Sequence, residues 1–294
     1  ENVGEQTAKE LARRFADQGI KAGVAARGYG CSESCGPNDE EAMVRQAVPG
    51  ILYASHPRRR LAIESLLSQG AQAIILDDAF QHLAVRRDLD IVLLDAARPF
   101  ATGATLPAGI LREPPSALRQ AAICILTRAD ATTPEELALS KAAVRQCAPQ
   151  AIIAEAVHRP SRLVCAKNGD ATLETLRGRK IAALCSIARP ACFFQTLSGL
   201  GAEVAASFAF PDHHCYTLTE LAEVMRQAQA CGAEMLVTTC KDMVKLAPLF
   251  DQMISARPGI SLMPNAYALE VELAITAGEN VLAQALESLR IINH

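Results

Sequence analysis

The chain has 294 residues, 50% of them hydrophobic, with a formal net charge of -3 at pH 7 and a pI near 6.1. This length and apolar fraction predict a globular protein with one large or two ordinary domains. The charge provides no basic surface for nucleic acid, and 4% aromatic residues provide few rings for base stacking, so we expect no nucleic-acid partner.

Short apolar runs without polar alternation recur along the chain. They are Gly23-Val24-Ala25, Ile74-Ile75-Leu76, Ile91-Val92-Leu93-Leu94, Ile123-Cys124-Ile125-Leu126, Ile152-Ile153, Ile181-Ala182-Ala183-Leu184 and Met235-Leu236-Val237. Such runs are typical of strands that helices cover on both faces, and therefore of a mainly parallel sheet. The predicted fold class is α/β.

Helical patterns lie between these runs. An apolar stripe from Ala8 to Ala16 predicts the first helix, and Gly19 stands where a C-terminal helix cap is expected. Residues 61–67 and 218–230 show a similar pattern. Over residues 158–180 the pattern weakens into a polar passage. We therefore predict a first domain over residues 1–160 and a smaller C-terminal α/β domain over residues 161–294.

The ten cysteines are scattered, and several stand in apolar runs, such as Cys124 and Cys185. This pattern predicts reduced thiols in a reducing cytoplasm. Cys31 and Cys35 form a CxxxC pair, but no second pair at zinc spacing accompanies them, so a metal or redox site is the less favoured alternative. No apolar stretch approaches the ~18 residues that a membrane span needs.

The stretch QAIILDDAFQHL, residues 72–83, ends an apolar run in two adjacent carboxylates, Asp77 and Asp78. In open α/β sheets ligands bind beyond the carboxyl ends of the strands. An apolar strand that ends in Asp is also how a Walker B element holds Mg²⁺ beside phosphates, although the pair could equally cap the next helix or turn. A Walker B is usually accompanied by a P-loop, but the chain contains no Gly-Lys dipeptide.

Six short segments carry a resemblance to a known family. They are VAARGYG (24–30), NDEE (38–41), LDDAFQHLAVRRDLDIVLLDA (76–96), LPAGILREP (106–114), FPDHHCY (210–216) and VTTCKDMVKL (237–246). In order and approximate spacing they are similar to the SRGYG, GDEP, DDGFQH, LPAGPLREP, DHH and TTEKDAVK motifs of the tetraacyldisaccharide 4'-kinases of Gram-negative bacteria. Any one match would be weak, whereas the ordered set is specific.

The resemblance implies a P-loop-kinase-like fold and transfer of the γ-phosphate of ATP to the 4'-hydroxyl of an acylated glucosamine disaccharide 1-phosphate in lipid A biosynthesis. It also implies Mg²⁺ as a cofactor and peripheral attachment at the cytoplasmic face of the bacterial inner membrane. We expect the ligands to bind in a cleft between the two domains.

The resemblance also implies roles for individual residues. Asp39 matches the family's catalytic Asp, and His213 matches the first His of DHH, with which that Asp forms a dyad that takes the proton of the acceptor hydroxyl. Asp77 and Asp78 match the Walker B pair that binds Mg²⁺ and nucleotide, and Glu113 matches a further Mg²⁺ ligand. The predicted substrate-binding residues are Arg27, Tyr29, Gln81, His82 and Arg112.

Each of these residues also has a simpler interpretation. Asp39 in a polar loop is typical of a cap or turn residue, and His213 and His214 beside a Pro-Asp turn could be exposed. Residues 58–60, three consecutive arginines, are predicted to be a solvated helix start rather than an anion site.

The start of the chain departs from the family pattern. Counting back from RGYG, the P-loop lysine falls at about Gly4 and the Mg²⁺-binding Ser or Thr at about Glu5. Either the chain is an N-terminally incomplete kinase or its P-loop has degenerated, and in both cases we expect weak or absent activity. The alternative function is a relative that binds the acylated disaccharide or a nucleotide without transferring phosphate. A third hypothesis is an unrelated Mg²⁺-dependent α/β enzyme, and it requires all six motif matches to be coincidental.

Overall fold

The computed structural model describes residues 3–27, 39–165, 169–212, 214–256 and 265–289, with only the backbone described at residues 39, 40 and 256. These residues form two compact units. The first unit contains residues 3–27, 48–159 and 273–289, and the second contains the rest. The chain passes between the units at 47/48, 159/160 and 272/273, and once more between residues 27 and 39. The predicted division into residues 1–160 and 161–294 stays a prediction.

Helices and strands alternate along much of the chain. In chain order they are α1 (Val3–Asp17), β1 (Ala22–Ala26), α2 (Asp39–Ala47), β2 (Leu52–Ser55), α3 (Arg59–Ser68), β3 (Ala73–Leu76), β4 (Ile91–Asp95), β5 (Ile123–Thr127), α4 (Pro134–Cys147), β6 (Ile152–Cys165), β7 (Lys180–Cys185), α5 (Pro190–Gly199), β8 (Glu203–Ala209), α6 (Leu218–Ala230), β9 (Met235–Thr239), α7 (Cys240–Ala256), β10 (Asn265–Ala277) and α8 (Glu279–Glu287).

The strands of the first unit pair in parallel. β1 lies between β2 and β3, and Val24 pairs with Tyr53 on one side and Ile75 on the other. β5 lies between β4 and the first part of β6, and its Ile125 pairs with Leu93 and with Ala154. In the second unit the order is β10-β9-β7-β8, again with parallel pairs. The predicted α/β class with a mainly parallel sheet is confirmed.

The helix predictions are confirmed as well. α1 covers the apolar stripe from Ala8 to Ala16, and Gly19 has a φ of 72°, the left-handed conformation of a helix C-terminus. α6 begins with a capping box, because the Thr217 hydroxyl accepts from the Glu220 N–H while the Glu220 carboxylate accepts from the Thr217 N–H. The polar passage predicted from residue 158 is in part a strand, since β6 continues to Cys165 with mixed burial.

Seven of the eight cysteines that the structure describes agree with the predicted reduced state, and Cys31 and Cys35 lie outside the described residues. Cys124, Cys147, Cys165, Cys185, Cys192, Cys231 and Cys240 are free thiols. Cys215 is disulfide-bonded, so the prediction of a reduced thiol is wrong at this position. A pairing depends on which sulfur atoms the fold brings within bonding distance, and the spacing of cysteines along the chain does not determine this.

A close approach of strand and helix organises the core beside β1. Leu66 of α3 is fully buried, and a Cβ atom added at Gly23 would stand 2.9 Å from its Cδ2 atom. Ala25, Ala62 and Ala71 complete this buried cluster. Small residues around one large side chain allow α3 to lie directly on the sheet, which places the first turn of α3 beside the end of β3.

We expect Leu66→Ala to lower the free energy of unfolding by about 2–5 kcal/mol, because it removes a large buried side chain from a site where small neighbours cannot fill the space. Leu61 of the same helix is 40% exposed, so Leu61→Ala is the matched control, with an expected loss below about 1 kcal/mol. Urea unfolding measures both values. Equal losses in the two variants would contradict this account of the core.

Candidate active site

Asp77 and Asp78 form a turn directly after β3. The Asp77 N–H donates to the Ala25 carbonyl of β1 at 3.4 Å, so the turn begins in register with the sheet. Asp78 has a φ of 47°, a left-handed conformation that Asp tolerates better than most residues. Both carboxylates therefore stand at the carboxyl end of a parallel sheet, which is the edge where ligands bind in α/β folds.

Arg112 binds the side chain of Asp78. Its Nη1 atom lies 2.8 Å from Asp78 Oδ1 and 3.0 Å from Oδ2. The two side chains are 63% and 49% exposed, and an ion pair of this exposure contributes about 0–1 kcal/mol. A cation or a ligand could therefore take the place of Arg112 at little cost. The structure thus brings together two residues to which the sequence assigned metal and substrate binding.

Arg59 lies behind the same turn. It is only 2% exposed, and its Nη2 atom donates to the Asp78 carbonyl at 2.9 Å. The prediction of a solvated helix start is therefore correct for Arg58 and Arg60, which are exposed, and wrong for Arg59. Successive helix residues point about 100° apart, so one of three consecutive arginines faces the sheet. Burial lowers the pKa of Arg59, and the carboxylates of Asp78 and Asp77 oppose this effect.

The side chain of Asp77 is more buried than that of Asp78. Burial raises the pKa of Asp77 above its usual value, the hydrogen bond from the Asp78 N–H lowers it, the Asp78 charge raises it and Arg59 lowers it. Burial is the largest of these causes. The ionised form of Asp77 is therefore held at a free-energy cost, which a bound cation would relieve.

Gln81 and His82 lie in the loop that follows. Gln81 is exposed and His82 is partly buried. Arg87 organises this loop: its Nη1 donates to the His82 carbonyl at 2.7 Å, and its Nε donates to Asp90 Oδ1 at 2.5 Å. Sequence reasoning missed this role of Arg87, although the motif that contains it was identified and an Arg-Asp pair three residues apart was visible in it.

Arg112 and Glu113 follow a compact loop. The Leu106 N–H donates to the Leu111 carbonyl at 2.9 Å, and the Gly109 N–H donates to the Thr105 carbonyl at 2.9 Å. A Cβ atom at Gly109 would lie 2.2 Å from the Ala104 carbonyl oxygen, so only glycine fits there. This loop sets the position from which Arg112 reaches Asp78.

Within the described ranges, no three His, Cys, Asp or Glu side chains form a group that could hold a metal ion. The structure therefore pairs Asp77 with Asp78 and does not group Glu113 with them. Mg²⁺ commonly takes one or two protein carboxylates and completes its shell with phosphate oxygens and water, so the pair alone suits it.

The structure describes some of the remaining predicted site residues and not others. Arg27 follows β1 and is exposed, and Tyr29 lies outside the described residues. Asp39 is the first residue of α2, and its side chain is not described. His213 also lies outside the described residues, so the predicted pairing of Asp39 with His213 stays a prediction.

His214, the neighbour of His213, is well anchored. Its ring stacks on Phe210 with centroids 4.8 Å apart, and its Nε2 atom lies 3.2 Å from Glu220 Oε1. Its carbonyl accepts from Lys245 Nζ at 3.2 Å. The possibility that this residue is simply exposed does not apply, because its side chain is 24% exposed and its ring contacts both Phe210 and Glu220.

Asp242, in the TTCKD segment, is a residue whose role the sequence did not predict. It is fully buried, and it accepts from the Ser186 N–H at 2.9 Å and from the Thr239 hydroxyl at 2.7 Å. Its other oxygen accepts from the Ser186 hydroxyl. Asp242 thereby joins the ends of the adjacent strands β7 and β9.

The positions at which the family's P-loop residues are expected lie in α1. Glu5 pairs with Lys9 at 3.3 Å one turn further along the helix. Lys9 is thus engaged in an ion pair within the helix.

The whole fold resembles a solved structure. A crystal structure described as the "apo" form of LpxK from Aquifex aeolicus in complex with ATP matches with a TM-score of 0.71 and 22% identity, over 98% of this chain and 84% of that chain. This likeness, together with carboxylates at the end of a parallel strand, defines the class: an α/β protein with the fold of a P-loop kinase.

Sequence comparison defines the family. The model of the family Tetraacyldisaccharide-1-P 4'-kinase, LpxK, matches residues 6–290. A "Tetraacyldisaccharide 4'-kinase" of Anaeromyxobacter dehalogenans is 42% identical over 289 residues, covering 90% of this chain and 75% of the relative. One of Syntrophus aciditrophicus is 38% identical over 266 residues, covering 81% and 70%. The chain belongs to the tetraacyldisaccharide-1-P 4'-kinase family. It is an enzyme of the kinase class, which supports the catalytic prediction over the non-catalytic alternative.

We expect Asp77→Asn to stabilise the fold at neutral pH. A carboxyl whose folded-state pKa is raised contributes stability below its unfolded pKa, about 3.9, and this contribution is lost as pH rises through the folded pKa. The variant should therefore match the wild type at low pH and exceed it at pH 7 in urea unfolding. Asp88→Asn, which removes an exposed charge from the following loop, should show no such trend. An advantage of Asp77→Asn that shrinks as pH rises would contradict the prediction.

Proposed function

We propose that this chain transfers the γ-phosphate of ATP to the 4'-hydroxyl of tetraacyldisaccharide 1-phosphate, a step of lipid A biosynthesis. The Asp77–Asp78 turn at the end of β3, in a chain of this kinase family, is the observation that carries the proposal. Two carboxylates at this edge suit a divalent cation that bridges nucleotide phosphates.

Mg²⁺ is the proposed cofactor. Asp77 and Asp78 would hold it, with Glu113 as a further ligand that has to approach from the neighbouring loop. When bound, the ion supplies positive charge beside the phosphoryl group as that group is transferred. The raised pKa of Asp77 supports this role, because a buried carboxylate gains most from a cation beside it.

The acceptor hydroxyl is proposed to lose its proton to Asp39, oriented by His213. An unactivated sugar hydroxyl is a poor nucleophile, and a positioned carboxylate can take its proton as the new P–O bond forms. Arg27, Tyr29, Gln81, His82 and Arg112 are the proposed substrate-binding residues. The bonds from Arg87 that fix the Gln81–His82 loop support this assignment for that part of the site.

The chain is proposed to act at the cytoplasmic face of the bacterial inner membrane as a peripheral protein, with a first domain to residue 160 and a second from residue 161. A tetraacylated acceptor resides in a bilayer, so the enzyme has to reach its surface. None of the helices in the described part of the chain is long and apolar enough to cross a membrane.

The experiment that tests the proposal is transfer of labelled γ-phosphate from ATP to tetraacyldisaccharide 1-phosphate. Asp39→Ala should lower kcat on the order of 10²- to 10⁴-fold, the usual contribution of a general base. Asp88→Asn serves as the control for loss of a loop carboxylate. Absence of transfer by the wild-type chain would refute the proposed activity, and equal rates of Asp39→Ala and the control would refute the role of Asp39.

Removal of divalent metal with EDTA should abolish transfer, and Mg²⁺ should restore it. Asp77→Asn should shift the Mg²⁺ concentration for half-maximal rate upward by about tenfold or more, because one anionic ligand is lost. An unchanged Mg²⁺ dependence in this variant would show that Asp77 does not contact the ion.

A further inference from the structure

The guanidinium of Arg59 uses only part of its bonding capacity. Its Nη2 atom donates to the Asp78 carbonyl at 2.9 Å. Its Nη1 atom is buried and has no hydrogen-bond partner among the residues that the structure describes. The whole side chain is 2% exposed, so bulk water does not serve as the partner.

A buried cationic donor without an acceptor is costly. Protein interiors satisfy nearly all such groups, and a charged one left unpaired costs more than a neutral one. Asp77 and Asp78 offset part of the charge, but neither carboxylate lies within hydrogen-bond distance of Nη1. An acceptor supplied by a ligand would remove this cost.

The surroundings of Arg59 indicate the chemistry of that ligand. A second guanidinium, that of Arg27, is close enough to interact electrostatically with Arg59. A third, Arg112, binds the Asp78 carboxylate. Several guanidinium groups beside two carboxylates suit an anionic group that a metal ion accompanies, and phosphoryl oxygens fit both.

We propose that Arg59 binds a phosphoryl oxygen of the bound ligand through Nη1 while Nη2 holds the Asp77–Asp78 turn. This inference rests on the proposed function, because it assumes that the turn is the phosphate end of the site. The planar guanidinium can bond both acceptors at once, whereas a lysine can place its charge there but cannot reproduce the two-pronged geometry. The phosphoryl group belongs either to the nucleotide or to the disaccharide 1-phosphate.

Arg59→Lys is the variant that isolates this geometry, because it keeps the charge. Arg60→Lys is the matched control: Arg60 is the next residue, is exposed and pairs with Glu64 at 3.1 Å. We expect Arg59→Lys to weaken binding of one phosphorylated ligand by about tenfold or more, and Arg60→Lys to leave binding unchanged. Calorimetry with a non-hydrolysable ATP analogue and with tetraacyldisaccharide 1-phosphate in detergent measures both affinities without turnover.

The two titrations distinguish the sources of the phosphoryl group. Weaker binding of the ATP analogue alone assigns Arg59 to the nucleotide, and weaker binding of the disaccharide alone assigns it to the acceptor. If Arg59→Lys binds both ligands as Arg60→Lys does, the proposal is overturned. Because no phosphate transfer is required, a chain that binds but does not transfer would refute the proposed function and leave this inference intact.

A second measurement on the wild-type chain covers the case in which Arg59→Lys does not fold. With arginine side chains labelled by ¹⁵N, a slowly exchanging guanidinium signal reports a buried Arg. Titration with inorganic tripolyphosphate or with the disaccharide 1-phosphate should shift the Nη signals of such a group. Unchanged guanidinium signals in both titrations would overturn the proposal.

Discussion

The hydrogen bond from the buried Arg59 guanidinium to the Asp78 carbonyl is the interaction on which the site depends. Asp78 adopts a left-handed backbone conformation, which costs a residue other than glycine on the order of 1–3 kcal/mol unless its surroundings fix it. Three contacts do so here: Arg59 at the carbonyl, Arg112 at the carboxylate and the sheet register through Ala25. Without Arg59, the turn would lose the only one of these three contacts that a buried side chain makes.

The packing beneath the site makes this anchor possible. Gly23 lets α3 approach the sheet closely through Leu66, and the first turn of α3 then carries Arg59 to the end of β3. A larger residue at position 23 would push the helix outward and move the guanidinium with it. The core and the site are therefore linked through α3, so a change in core packing would alter the surroundings of the Asp77 and Asp78 carboxylates.

The sequence predicted what depends on apolar runs and helical periodicity. β1, β5 and β9 follow from runs that are buried along their length. The apolar run of β3, which is only partly buried, led to the carboxylate pair that follows it. The sequence did not predict β10, whose burial is mixed and which carries Glu270, paired with Arg162 at 2.6 Å. The burial of Arg59 could not be predicted from the sequence either, because three consecutive arginines do not indicate which of them faces the sheet. Such features depend on helix rotation and on long-range contacts, which periodicity does not encode.

The path of the chain has a consequence for how such a protein can change over evolutionary time. Each unit is assembled from separate stretches of sequence, and Arg14 of α1 binds Glu279 of α8 at 2.7 Å within the first unit. A single recombination event that exchanged everything on one side of residue 160 would therefore remove α8 from its partner and α2 from its own unit. Neither unit is encoded by one contiguous stretch of sequence, so exchange of a single segment cannot replace a whole unit.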